Sequence, residues 1–277
     1  MRTVWFITGG ASGIGAGIAL AALAAGHDVV ASDLDAERLA AVYAEYPAQV
    51  LTARLDIRDE AQAEQVVAAA LARFGRIDVL VNNAGYGLFG AFEEHRAAAI
   101  ERQFATNVFG TFNVTRAVLP VMRRQRAGYV INMSSNGGIK GVKGASLYSS
   151  SKFAIEGFSE SLAQEIAAFG IRLTIVEPGA FRTEFLDSRV LQLGTDPLPD
   201  YDAFRSTIEA VFEARNQKQP GDPHKLGQAL VQLASEANPP LRFVAGADAL
   251  AVVDDKLHSV AADVQQWRTL SASTSFD

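Results

Sequence analysis

At 277 residues, 49% of them hydrophobic and 20% charged, the chain can bury one large core, and global disorder is excluded. A net charge of −6 offers no basic surface for nucleic acid. The absence of cysteine removes disulfides and thiolate metal sites, and His27, His95, His224 and His258 form no H-x-x-x-H pair, so no metal is expected.

The first strand, expected from residue 3, leaves no room for a leader segment, and the apolar run 19–26 is too short to span a bilayer. A soluble, cytoplasmic protein is the expectation. Strand-length apolar runs recur at 4–8, 29–32, 50–53, 79–81, 129–133, 173–176 and 243–245. Helical patterns lie between most of them, at 13–25, 36–45, 60–74, 106–125, 149–168 and 224–235. This alternation predicts parallel crossovers: an α/β fold, one Rossmann-type domain over 1–277 with a doubly wound parallel sheet of about seven strands. Asp59 is placed to cap the helix at 60–74, which should stop at Gly75.

The chain is organised around its first strand–turn–helix. The run 3–7 leads into Thr8-Gly9-Gly10-Ala11-Ser12-Gly13-Ile14-Gly15, and the second strand ends on Asp33. Strand, glycine turn, helix, strand and acid in that order form the layout of a dinucleotide site. Glycine lets a pyrophosphate approach backbone N–H groups, and the helix start directs partial positive charge at it. Asp33 would accept hydrogen bonds from the adenosine ribose.

Two segments break the rhythm. Residues about 184–223 mix apolar residues with Gly194, Pro197, Pro199, Pro220 and Gly221, which reads either as a helical insertion or as a lid over a substrate. The tail, about 254–277, carries an amphipathic stripe of Leu257, Val260, Ala261, Val264 and Trp267 that suits packing on its own domain or on a partner subunit.

Tyr148 and Lys152 stand at i and i+4, on one helix face. Proton transfer at an alcohol oxygen wants that pair, because a phenol with a pKa near ~10 needs a neighbouring cation to become a base at neutral pH. Ser135 follows the strand 129–133 at the ligand edge of the sheet, where its hydroxyl could bind a carbonyl oxygen; Ser134 competes for the role. Asn82-Asn83-Ala84-Gly85 ends the strand 79–81, and Asn107 sits early in a helix expected from Thr106.

Together these residues resemble the short-chain dehydrogenase/reductase family, in its steroid- and retinol-dehydrogenase-like branch. The matching pieces are the glycine turn, Asp33, Asp56-Ile57, Asn82-Asn83-Ala84-Gly85, Asn107, Ser135, Tyr148-x-x-x-Lys152 and Pro178-Gly179-x-x-x-Thr183. The match is dense from residue 3 to about 185. The resemblance implies Tyr148 as general acid/base and Ser135 as the group binding the reacting oxygen. Lys152 would hold the nicotinamide ribose and lower the Tyr148 pKa, and Asn107 would support a proton relay. It implies cofactor contacts from Gly9, Ser12, Gly13, Ile14, Gly15, Asp33, Asp56, Ile57, Asn83, Ala84, Gly85, Tyr148, Lys152, Pro178, Gly179, Phe181 and Thr183. Asp56 and Thr183 could equally cap turns. The helices 106–125 and 149–168 would form a homodimer or homotetramer contact.

Asp33 would repel a 2′-phosphate, Leu34 cannot neutralise one, and Arg38 lies a helical turn away and is expected to be solvated, so NAD is favoured over NADP. The implied activity is NAD-dependent interconversion of a secondary alcohol and a ketone. An NADPH-dependent carbonyl reductase and a non-catalytic dinucleotide sensor are the rivals. Tyr86, Leu88, Phe89, Ile139, Val142, Phe181 and Phe185 are candidate walls for an apolar substrate. Lys140 and Lys143 either attract a carboxylate or are solvated loop residues.

Overall fold

The computed structural model describes residues 2–187 and 192–276. Residues 188–191 of the expected insertion, and the last residue of the expected tail, lie outside them. The central sheet has seven parallel strands: β1 (Val4–Thr8), β2 (Asp28–Asp33), β3 (Val50–Arg54), β4 (Val79–Asn82), β6 (Gly128–Met133), β7 (Ile171–Pro178) and β9 (Arg242–Ala245). Their spatial order is β3-β2-β1-β4-β6-β7-β9, so the winding reverses between β1 and β4. Ligand crevices open at such a reversal, beyond the carboxyl ends of the strands.

Both sheet faces are covered, which is why the strands read as unbroken apolar runs rather than alternating ones. Trp5 and Ile7 of β1 face α1 (Gly13–Ala24), α2 (Ala36–Val42) and α8 (Pro223–Ser235) in one core. Val4 and Phe6 face α3 (Glu60–Phe74), α5 (Thr111–Gln125) and α6 (Ser146–Ile166) in the other. α1 and α8 touch backbone to backbone: a Cβ on Gly227 would stand 2.4 Å from the Gly17 carbonyl oxygen.

Helix α3 matches its expected limits, with Asp59 accepting from the Gln62 N–H at 3.1 Å and Gly75 left-handed at φ 76°. Others differ. α2 stops at Val42 rather than 45, and Tyr43 turns inward to donate to the Gly10 carbonyl at 2.6 Å. The helix expected from Thr106 begins earlier, as α4 (Ala97–Phe104), and passes through one π-helical turn (Ala105–Gly110) into α5. Its start carries no side-chain cap, so the sequence offered no stop or start signal there. α6 starts at Ser146, which puts Tyr148 in its first turn.

The insertion is more regular than its composition implied. A two-residue strand, β8 (Gln192–Leu193), pairs with β5 (Leu88–Phe89), and α7 (Asp202–Arg215) packs Ile208 against Gly144. Buried Glu94 anchors it, pairing with Arg205 and accepting from the Leu198 N–H at 3.0 Å. Arg96 adds a bond to Asp196 at 2.7 Å. The tail is a single helix, α9 (Ala247–Ala272), starting seven residues before the expected position. No helix among the described residues is long and apolar enough to cross a membrane.

Candidate active site

A cavity of about 810 Å³ opens at the β1/β4 reversal, and all the expected site residues line it except Gly15 and Asn107. At its cofactor end, Gly9 and Gly13 turn the chain at φ 68° and 54°, a region costly for residues with a Cβ. The Ser12 side chain does not cap α1, so the first-turn N–H groups have no side-chain acceptor and stay available to an anion. Gly15 stands behind this turn rather than on the cavity: a Cβ there would meet the Gly9 carbonyl oxygen at 2.1 Å. Its absence of side chain permits the tight turn.

Asn83 binds this turn to the sheet, donating from Nδ2 to the carbonyls of Thr8 at 3.0 Å and Gly9 at 3.2 Å. The N–H groups of Asn83 and Ala84 both reach Thr8 Oγ1 at 3.1 Å. Asp33, at the end of β2, accepts from the Ala11 N–H at 3.1 Å and the Asp35 N–H at 3.2 Å. Arg38 is exposed, as expected, but it is also engaged: its guanidinium makes a two-bond pair with Glu184, at 2.8 and 2.9 Å, across the sequence from α2 to the insertion. Asp56 both lines the cavity and ties a turn, accepting from the Arg58 N–H at 3.0 Å; the Arg58 guanidinium holds its carboxyl below the usual range. Thr183 does the same double duty, lining the cavity and accepting from the Phe185 N–H at 3.2 Å. Gly179, at the end of β7, lies against Asp248 of α9, which accepts from the Ala180 N–H at 2.7 Å.

At the other end stand Ser135, Tyr148 and Lys152. The loop after β6 brings Gly137 against both the Tyr148 ring and Ser135 Oγ, at 3.4 and 3.5 Å from a Cβ position. Ser135 Oγ accepts from the Gly137 N–H at 3.0 Å and donates to Asn136 Oδ1 at 3.1 Å. Ser134 also borders the cavity, but its hydroxyl faces the buried Glu156 beside Gly138. Lys152 is buried, donates to the Met133 carbonyl at 2.7 Å, and places Nζ 5.8 Å from the Tyr148 ring centroid.

The electrostatics of this corner differ from the expectation. Burial pushes the Tyr148 phenol up, with the Ser135 hydroxyl opposing the shift. Burial also lowers Lys152 to about 8, with Glu156 opposing. Burial without a bound cofactor therefore favours the protonated phenol at Tyr148. Asn107 lies one layer back in the π-helical turn. It clamps Tyr86 from both sides, donating to its carbonyl at 2.9 Å and accepting from its N–H at 3.1 Å, and donates to Ser151 Oγ at 3.1 Å.

Of the expected apolar walls, Tyr86, Phe89, Val142, Phe181 and Phe185 line the cavity; Leu88 and Ile139 do not. Phe89 and Phe185 flank Tyr148 with ring centroids at 5.5 and 5.7 Å. Lys140 and Lys143 are neither cavity residues nor free: Lys140 pairs with Asp255 of α9, and Lys143 sits 5.2 Å from the Phe204 ring centroid. Sequence reasoning missed Arg102, Phe212 and Arg215, which also line the cavity. The stripe Phe204, Ile208, Phe212, Arg215 at helical spacing was the available signal for the last two.

The profile of the short chain dehydrogenase family matches residues 3–193. Oxidoreductase BOA17 of Botryotinia fuckeliana (strain B05.10) is 36% identical over 99% of this chain and 100% of its own length. Retinol dehydrogenase 8 of Homo sapiens is 38% identical over 87% of this chain and 80% of its own length. The crystal structure of a short-chain dehydrogenase from Streptomyces avermitilis superposes with a TM-score of 0.91 and 40% identity, each chain covered completely. The chain belongs to the short-chain dehydrogenase family and is an oxidoreductase that takes a nicotinamide dinucleotide.

Proposed function

We propose that this short-chain dehydrogenase interconverts a secondary alcohol and a ketone with NAD(H), using Tyr148 as the proton donor and acceptor. The observation that carries this reading is the convergence of Ser135, Tyr148 and Lys152 on one cavity that also holds an uncapped helix start. The protein's residues fit the cofactor. The glycine turn leaves N–H groups for the pyrophosphate, Asp33 stands at the ribose end, and the Lys152 ammonium keeps protons beyond the one given to Met133. When bound, the nicotinamide exchanges hydride with the substrate carbon.

The remaining steps belong to the protein. Ser135 turns its hydroxyl from Asn136 Oδ1 to the substrate oxygen, a rotation that leaves the Gly137 N–H bond in place. In the reductive direction Tyr148 gives its proton to that oxygen as charge develops on it; in the oxidative direction the phenolate takes the proton back. Burial holds Tyr148 high, so the positive charge that an oxidised nicotinamide would supply, with Lys152 holding its ribose, would favour the phenolate. Asn107 acts through Tyr86 and Ser151, keeping the loop after β4 in place.

Asp33 supports NAD over NADP, and the pairing of Arg38 with Glu184 supports it further by engaging a cation whose charge is felt at Asp33. Phe89 and Phe185 around Tyr148, with Phe212 packed on Phe89, support an apolar substrate, as does the relative named retinol dehydrogenase 8. The insertion would act as its lid. Exposed Phe109 and Phe153, with Phe112 against Phe158, support a homo-oligomer through α5 and α6.

Fluorescence titration with NADH and NADPH, alongside turnover of Tyr148→Phe, tests the reading. NADH should bind more tightly, and Tyr148→Phe should keep that affinity while turnover falls on the order of 10²- to 10⁴-fold. Retained turnover would remove Tyr148 from the chemistry; tighter NADPH binding would favour the carbonyl reductase.

A further inference from the structure

The C-terminal helix presents a surface that the cavity does not use. Among the described residues, α9 is tied to the domain through its first turns, where Ala249 is buried, Asp248 accepts from Ala180 and Asp255 pairs with Lys140. From Leu257 to Phe276 every residue is exposed. Roughly 24 Å of helix, residues 257–272, thus stands exposed, with no support from the described residues of its own domain. Among the described residues, side-chain hydrogen bonds past Asp255 stay within the helix, as from Arg268 Nε to Gln265 Oε1. A stretch of that length is marginal as an isolated helix, since most helical stability in proteins comes from packing an apolar face.

The face to be packed has a specific period. Leu250, Val253, Leu257, Val260, Val264 and Trp267 follow one another in alternating steps of three and four, the a and d positions of a heptad. All but Val253 are between 44% and 63% exposed. Over these eighteen residues the 3.5-residue period is that of a two-stranded coiled-coil seam. The flanking charges complement a copy of themselves. Antiparallel pairing sets Lys256 against the partner's Asp263, and parallel pairing sets Asp263 against the partner's Arg268. Lipid is a poor match, because Asp248, Asp254, Asp255 and Asp263 outnumber Lys256 and Arg268 on this helix and the whole chain carries −6.

We propose that α9 pairs with α9 of a second copy of this chain as a two-stranded coiled coil through the seam at 250–267, an interface separate from the α5–α6 face. Because the chain has no cysteine, single cysteines report position cleanly. In the full-length protein, Val260→Cys lies in the seam and Ala262→Cys on the opposite face. A short bismaleimide should link Val260→Cys into dimers and leave Ala262→Cys as single chains. Adding Val264→Asp should abolish that link, lower the particle mass by about half in light scattering, and speed hydrogen exchange of the amides at 258–270. NADH affinity should be unchanged, which certifies the fold. Equal cross-linking at both positions, or rapid exchange at 258–270 in the unsubstituted protein, would overturn the proposal. So would protection of those amides only when phosphatidylcholine–phosphatidylglycerol vesicles are added, which would assign the face to lipid.

Discussion

At the cofactor end of the cavity, position is set by main chain: glycine turns, strand ends and Asn83 bonded to two carbonyls, all within residues 8–85 except Thr183 and the end of β7. At the substrate end, position is set by side-chain pairs that bridge about a hundred residues, such as Arg205 to Glu94, Arg96 to Asp196 and Arg102 to Gln192 at 3.0 Å. The first is stiff, because a buried sheet leaves its backbone no alternative partners. The second can be re-cut by changing a few charges, which leaves the sheet intact. A rigid cofactor seat joined to a separately anchored insertion is the design this contrast teaches.

Gly15→Ala should break the comparison at its stiff end most severely. The added methyl meets the Gly9 carbonyl at 2.1 Å, and overpacking of this kind costs about 1–3 kcal/mol, so both melting temperature and NADH affinity should fall. Calorimetry and titration would show it, and unchanged NADH affinity would mean the turn can relax. Lys152 tests the corner where the two ends meet. Its folded pKa of about 8 lies below the ordinary ~10.4, so the unfolded chain holds a proton that the folded chain has released between those values. Stability from this group should therefore rise as pH increases from about 8 to about 10, and Lys152→Met should flatten that slope in denaturant titrations while removing turnover.

Glu94→Gln should sharpen the comparison. It weakens the buried anchor of the insertion, so KM for the alcohol should rise and proteolysis should open the chain near residues 194–200, while NADH binding stays unchanged. Loss of NADH binding would show that the two ends are mechanically coupled. The smallest effect is expected where one pair spans both ends. Glu184→Gln frees Arg38, and since exposed pairs are worth about 0.2–1 kcal/mol, NADPH affinity should improve by no more than about fivefold. Relative dissociation constants for NADH and NADPH would measure it.

Most of the fold was legible because its signals are local. Unbroken apolar strands, Asp59 as a cap and Gly75 as a stop each act within a few residues, and the glycine turn announces its strand and helix together. The start of α4 was not legible, since it lacks a capping side chain and is continued by a π-helical turn. The partners of Arg38, Lys140 and Lys143 were equally hidden, because Glu184, Asp255 and Phe204 become neighbours only after the insertion and α9 fold back.

The sequence by itself determined the seven sheet strands and most of the helices between them, the glycine turn, the acid at the end of β2, and the placement of Tyr148 and Lys152 on one helix face, since each depends on spacing along a regular element. Only the tertiary structure decided that Gly15 and Asn107 stand behind the cavity and that Ser135 rather than Ser134 faces Tyr148. It also decided that burial raises the phenol while lowering the ammonium beside it. Those outcomes depend on desolvation and on contacts between residues distant in the chain, and neither is fixed until the layers close around the site.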